Sequence, residues 1–196
     1  MQDVAVIEDP AAAAAALDPL RSRLLAELRE PASAGSLATR LDVPRQKLNY
    51  HLKALESLGL VVQVDERRHG GITERVVQAT AASYVVSTAA LGEGGADPDR
   101  VGDQLSAEYL VALGGRLVRE VGDLSRRAEA ADRRLPTFSI DTEIRFASAA
   151  DRAAFADELT EAALQLAARY HHDDGRPHRL VVAAHPLPNP PTEDTP

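Results

Sequence analysis

Gln46, Asn49, Tyr50 and Lys53 recur at i, i+3, i+4 and i+7, which places four hydrogen-bonding side chains on one stripe of a helix, with Arg45 beside them at its start. Gln and Asn can each pair bidentately with adenine edges and Arg with guanine, while Lys and Tyr suit phosphate oxygens. No acid lies between Asp42 and Glu56, so an anionic duplex meets no local repulsion on this stretch. Farther along, Arg67, Arg68 and His69 form a second basic group, placed to reach an adjacent groove or the phosphate backbone. A polar helix stripe alone is usually a solvated face. The acid-free stripe, a short helix before it and a basic hairpin after it together favour DNA as the target.

These side chains need a scaffold, and the apolar residues supply its outline. Leu48, Leu52 and Leu55 mark the inner side of a helix from Pro44 to about Leu58, and Gly59 stands where a left-handed C-terminal residue is expected. A short helix precedes it, capped by Ser33 or Ser36, with Leu37, Ala38 and Leu41 inward; Asp42, Val43 and Pro44 break the chain between the two. Asp9-Pro10 and Asp18-Pro19 start two earlier helices. The first holds Ala11–Ala16, which indicates helix propensity only, and the second carries Leu20, Leu24, Leu25 and Leu28 and stops before Pro31. After Gly59 the period changes. Leu60–Asp65 and Ile72–Gln78 read as strands joined by Glu66–Gly71, a hairpin with a basic tip.

The run from His51 to Val61, HLKALESLGLV, taken with Leu37-Ala38 and the basic hairpin, resembles the end of the recognition helix and the first wing strand of ArsR-type winged-helix regulators. The resemblance covers roughly residues 15 to 80. It implies a homodimeric bacterial transcription regulator, usually a repressor, that leaves a palindromic operator when a signal binds. It also implies that Arg45, Gln46, Asn49, Tyr50 and Lys53 contact bases and phosphates and that Arg67, Arg68 and His69 form the wing contact; Ser36 and Lys47 complete the candidate DNA-contacting set. Metal-sensing members carry cysteines in the helix before the recognition helix, where this chain has Ser36-Leu37-Ala38-Thr39-Arg40 and no cysteine anywhere. His51, between Leu48 and Leu55, reads as a packed histidine.

The second half is different in kind. Tyr84, Val85 and Val86 form a short apolar run, and the Gly-rich stretch from Gly92 to Ala96 connects to a long helix expected from Asp97 towards Arg134. Val101, Leu105, Tyr109, Leu113, Leu117, Val121 and Leu124 stripe that helix, better as a dimer seam than as a cavity lining, and Gly114-Gly115 interrupts it as a kink or a close contact. Thr137–Phe146 alternates strictly and reads as a strand, Ser148 with Asp151 starts a helix striped by Phe155, Leu159, Ala162, Leu166 and Tyr170, and Leu180–Ala183 reads as a second strand. Phe138, Ile140, Ile144 and Phe146 against Phe155 and Leu159 would suit an apolar or aromatic small-molecule effector. His171, His172, Asp173, Asp174, His178 and His185 lack regular ligand spacing and read as solvated surface. The Pro-rich tail from Pro186 is expected to be disordered.

Composition bounds the alternatives. The 196 residues carry 22 Lys+Arg against 30 Asp+Glu, a net charge of −8, with 44% hydrophobic and 27% charged residues, ordinary for a chain that buries a core. Zero cysteines exclude disulfides, thiolate metal sites and a cysteine nucleophile. No Gly-rich phosphate loop, nucleophile elbow or metal-ligand helix is present in the sequence, so no enzyme activity and no cofactor are expected. No apolar run reaches the roughly 18 residues that span a bilayer, and the first ten residues hold three acids and no base, so a cytoplasmic location away from membranes is expected. Lys47 and Lys53 are the two lysines; this Arg bias suggests a GC-rich genome and, with the resemblance, an actinobacterial source.

The net charge divides unevenly, with 10 basic and 11 acidic residues in 1–80 and 12 and 19 in 81–196. The acidity belongs to the second half, and Arg45, Lys47, Lys53, Arg67, Arg68 and Arg75 lie on or near the reading face. The expectation is therefore an α+β chain. A winged helix-turn-helix occupies 1–82, a dimerisation and ligand-sensing domain with a long helix and a small strand-helix-strand unit occupies 83–185, and a tail occupies 186–196. The alternative is a winged-helix protein-interaction module that does not bind DNA.

Overall fold

The computed structural model describes residues 1–69 and 72–188, without the side chains of residues 68, 69 and 72. The chain divides into two compact units, Met1–Leu135 and Pro136–Pro196.

The first unit begins with strand β1 (Gln2–Ile7) and helices α1 (Pro10–Leu17) and α2 (Pro19–Glu27). Asp9 and Asp18 cap the two helices through their carboxylates, which accept from the backbone N–H of Ala12 and Arg21 at 2.8 and 2.9 Å. Proline at the first helical position loses no hydrogen bond there, which is why both Asp-Pro pairs start helices. The alanines of α1 do more than favour helix. Ala12, Ala13 and Ala15 are buried, their small side chains letting α1 approach the core closely.

Strand β2 (Ala32–Ser33) leads into α3 (Ala34–Leu41), then α4 (Arg45–Ser57), β3 (Val61–His69) and β4 (Ile72–Ala79). The sheet order is β2-β4-β3, antiparallel throughout. Leu24, Leu25, Leu28, Leu37, Leu41, Leu48, Leu52, Leu55, Leu60, Val61 and Val77 form one core, at 9% exposure or less. Ser33 caps α3, and Asp42 takes the left-handed conformation that ends it (φ 53°). Gly59 takes the same conformation after α4 (φ 71°), where a side chain would be strained. The strands run farther than their sequence suggested: β3 continues to His69 and β4 begins at Ile72, so Glu66–His69 belong to the strand and not to a loop.

β5 (Ala81–Val86) pairs in parallel with β1, a strand that the acidic N-terminus had hidden. Helix α5 (Ala107–Ala130) packs on it, starting ten residues later and ending earlier than expected. Asp97 caps a single 3-10 turn, Pro98–Arg100. The Asp103 carboxylate then takes the N–H of Leu105 in a local turn that resets the chain, and Ser106 caps α5 proper. Val101 and Leu105 therefore lie outside the helix. Gly114-Gly115 causes no kink. Gly115 instead faces Thr88, and Gly122 faces Val6, where an added Cβ would lie 2.8 and 2.9 Å from the side-chain carbon of each. Arg116 bridges Asp97 at 2.9 Å and Asp99 at 2.5 Å, and those carboxylates raise its pKa. The Asp97 carboxyl is lowered by the Asp99 N–H and by Arg116.

The second unit holds α6 (Ala149–Tyr170), capped by Ser148, which accepts from the Asp151 N–H. No residue of α6 is buried. The two expected strands are absent: neither 137–146 nor 180–183 is paired, and Phe138 and Ile140 are 81% and 86% exposed. A strand needs hydrogen bonds from a neighbour as well as an alternating face, and within this unit no neighbour supplies them. Of the expected apolar cluster, the Phe146 and Phe155 rings meet at 5.3 Å. The tail expected from Pro186 lies outside the described residues from 189 onward. Among the described residues no helix is long and apolar enough to cross a membrane, and no group of His, Asp and Glu could hold a metal.

Candidate nucleic-acid interface

The geometry of α4 follows from its three buried leucines. Leu48, Leu52 and Leu55 fix one side against the core, which turns Arg45, Gln46, Lys47, Asn49, Tyr50 and Lys53 outward, all six exposed. α3, the three residues Asp42, Val43 and Pro44, and α4 make a helix-turn-helix, closed by a bond from the Val43 N–H to the Ala38 carbonyl at 3.3 Å. Among the described residues the side chains of Gln46, Asn49 and Lys53 engage no other protein group, so their donors and acceptors face outward uncommitted. Tyr50 is 67% exposed and stacks edge-on against His51 at 5.4 Å.

Four residues of the expected set either have other partners or have side chains outside the described residues. Arg45 pairs with Glu74 of β4 at 3.1 Å. The Ser36 hydroxyl belongs to a capping box: it accepts from the Ser33 N–H at 3.1 Å and donates to the Ser33 carbonyl at 2.9 Å. Arg67 is exposed in β3 directly opposite Glu74 in the register, whereas Arg68 and His69 are placed by backbone alone.

The wing is tied to α4 at both ends, a feature the sequence reading missed. Glu74 meets Arg45 at the first residue of α4, and Arg75 donates to Glu56 in its last turn and to Gln63 of β3, both at 2.5 Å. Arg75, expected near the reading face, thus serves as a strut. Alternation in Thr73-Glu74-Arg75 signalled a strand, but the choice of partner depends on the twist of the hairpin and on the bulge between Gln63 and Asp65, which no local pattern reveals.

His51 is the packed histidine expected. Its Nδ1 accepts from Arg21 Nε of α2 at 3.3 Å, which steadies α4 against α2. Burial lowers its pKa below 6.5, with Arg21 and Lys47 acting in the same direction and Asp18 opposing them, so the ring is neutral near pH 7. The Asp18 carboxyl is in turn lowered by the Arg21 N–H it caps.

No curated protein matches the chain. Residues 16–64, which run from the end of α1 into the first residues of β3, match the family model of a helix-turn-helix domain. That span contains α3, α4 and all six outward side chains, so the match and the geometry agree on a helix-turn-helix at α3 and α4.

Proposed function

We propose that the chain is a sequence-specific transcription regulator of ArsR type, acting as a homodimer on a palindromic operator and, in the usual mode of such proteins, repressing until a signal releases it. The observation that carries this reading is the outward stripe of α4: Gln46, Asn49, Tyr50 and Lys53 exposed, free of acids and backed by a fully buried leucine row. Gln46 and Asn49 read base edges, and Lys47, Lys53 and Arg67 contact phosphates.

Dimerisation is supported by α5. On one side Ala112 is buried, Gly115 faces Thr88 and Gly122 faces Val6 of β1; on the opposite side Leu110, Leu113, Leu117, Val121 and Leu124 recur at near-heptad spacing and remain half-buried or exposed. Two copies joined there would present two α4 helices to half-sites about one helical turn, roughly 34 Å, apart. The exposed apolar residues of the second unit suit an apolar or aromatic effector or the partner copy.

The test is binding to a duplex selected by the protein from a randomised pool, compared with a random duplex. Asn49→Ala and Gln46→Ala should each cost about 1 to 3 kcal/mol on the selected duplex and little on the random one. Equal loss on both removes the base-reading role. Selection of no duplex by a folded dimer favours a protein-interaction module.

A further inference from the structure

Arg45 is the residue of the stripe best suited to guanine, and it does not stand free. Its Nη2 lies 3.1 Å from Glu74 Oε1, with the carboxylate three-quarters buried at 26% side-chain exposure. The same Oε1 fills the space beside Gly35 in the first turn of α3, 2.8 Å from the position a Cβ would occupy. Glu74 thus sits between the start of α3 and the start of α4. It complements the positive end of the α3 dipole and offsets the unfavourable placing of a cation at the N-terminus of α4, which has no side-chain cap. Its register partner across the hairpin is Arg67, the other described arginine directed at DNA.

A carboxylate is a costly neighbour for a surface meant to approach phosphates, and exposed ion pairs contribute little to stability. Its position makes sense as an orienting device. An arginine presents five donors in a planar fork; with one terminal nitrogen fixed, the remaining donors keep a set direction. Unfixed, a flexible arginine at a helix start settles on the nearest phosphate. Resting on the DNA-reading function above, we propose that Glu74 is a specificity-determining positioning residue: it holds Arg45 towards a base edge, and Gly35 is the space that admits it.

Two substitutions break this contact by different routes. Glu74→Gln removes the charge. Gly35→Ala displaces the carboxylate by a methyl group, and because the displaced atom is the tip of a flexible side chain and alanine favours helix, the fold should be unharmed. Binding of the full-length protein to its pool-selected duplex and to a random duplex of equal length, each over a salt series, reads the result. Either variant should bind random DNA several-fold more tightly, lower the selected-to-random ratio about tenfold and steepen the log–log salt slope by about one as Arg45 becomes a phosphate contact. The double variant should do no more than either alone. In an Arg45→Ala background Glu74→Gln should leave the ratio unchanged.

An unchanged ratio in both single variants, or an effect of Glu74→Gln that persists without Arg45, overturns the proposal while leaving DNA reading intact. A wild-type chain that selects no duplex overturns both. Cooperative melting of both variants within a few degrees of wild type separates lost orientation from lost folding.

Discussion

Leu48 and Leu166 each stand on the apolar stripe of a helix, yet Leu48 is fully buried in the first unit whereas Leu166 is 51% exposed in the second. The helices differ less than their surroundings. α4 has α1, α2, α3 and β3 to pack against, while α6 has two segments that form no sheet. An amphipathic pattern states which side seeks burial; the tertiary neighbours decide whether burial occurs. In this chain the unit with neighbours carries the stripe proposed to read DNA, and the unit without them leaves apolar side chains such as Phe138, Ile140 and Leu166 exposed.

The sharpest way to break this contrast is a matched truncation. Leu48→Ala should destabilise the first unit by about 2–5 kcal/mol, because no side chain can collapse into the space. Leu166→Ala should change the monomer by about 0.5 kcal/mol or less. Chemical denaturation at low protein concentration reads both. Comparable losses would mean that α6 is packed, contrary to its exposure. Gly122→Ala comes next in size. Its Cβ would lie 2.9 Å from the Cβ and one methyl carbon of Val6 and 3.0 Å from the other methyl carbon, costing about 1–3 kcal/mol by overpacking against a gain of about 1 kcal/mol in helix propensity. A lower melting temperature with the parallel β1–β5 pairing weakened in hydrogen exchange is the expected outcome, and a rise would show that α5 does not press on β1.

The smallest effect concerns His51. A histidine whose folded pKa is depressed contributes stability that is complete above its unfolded value near 6.5 and is lost as pH falls through the lower folded value. His51→Gln keeps an acceptor for Arg21 and cannot be protonated. Melting curves between pH 7.5 and 5 should therefore fall more steeply for wild type than for the variant. Parallel slopes would remove His51 from the acid response. Asp18, also lowered, loses its contribution only below the carboxylate range and does not confuse the two.

Much of the first unit was legible in the sequence because its signals are local. Asp-Pro starts, the leucine rows, Gly59 and the period change after it each fix a backbone conformation within a few residues, and the reading stripe follows directly from the leucines. The parallel pairing of β1 with β5 was hidden because it joins residues about eighty apart, with only Val4-Ala5-Val6-Ile7 to hint at it. The Gly35–Glu74–Arg45 contact was hidden for the same reason, since it joins three elements. In the second half the error ran the other way. Thr137–Phe146 alternates more strictly than β3 or β4 and still forms no strand, because alternation cannot supply a hydrogen-bonding neighbour. Asp97-Pro98 signalled a helix start and opened only a 3-10 turn, because Gly102 and Asp103 intervene before Ser106.

The most direct test of the central claim, that the outward face of α4 reads DNA sequence, is the salt-dependent affinity of the full-length protein for a duplex chosen from a randomised pool, measured for wild type and for Asn49→Ala. Selective binding that weakens steeply with salt, with Asn49→Ala erasing about 1 to 3 kcal/mol of the preference for the selected duplex, is the predicted result. A preference that survives the loss of Asn49 and Gln46 together, or a folded dimer that enriches no duplex at any salt concentration, would contradict it.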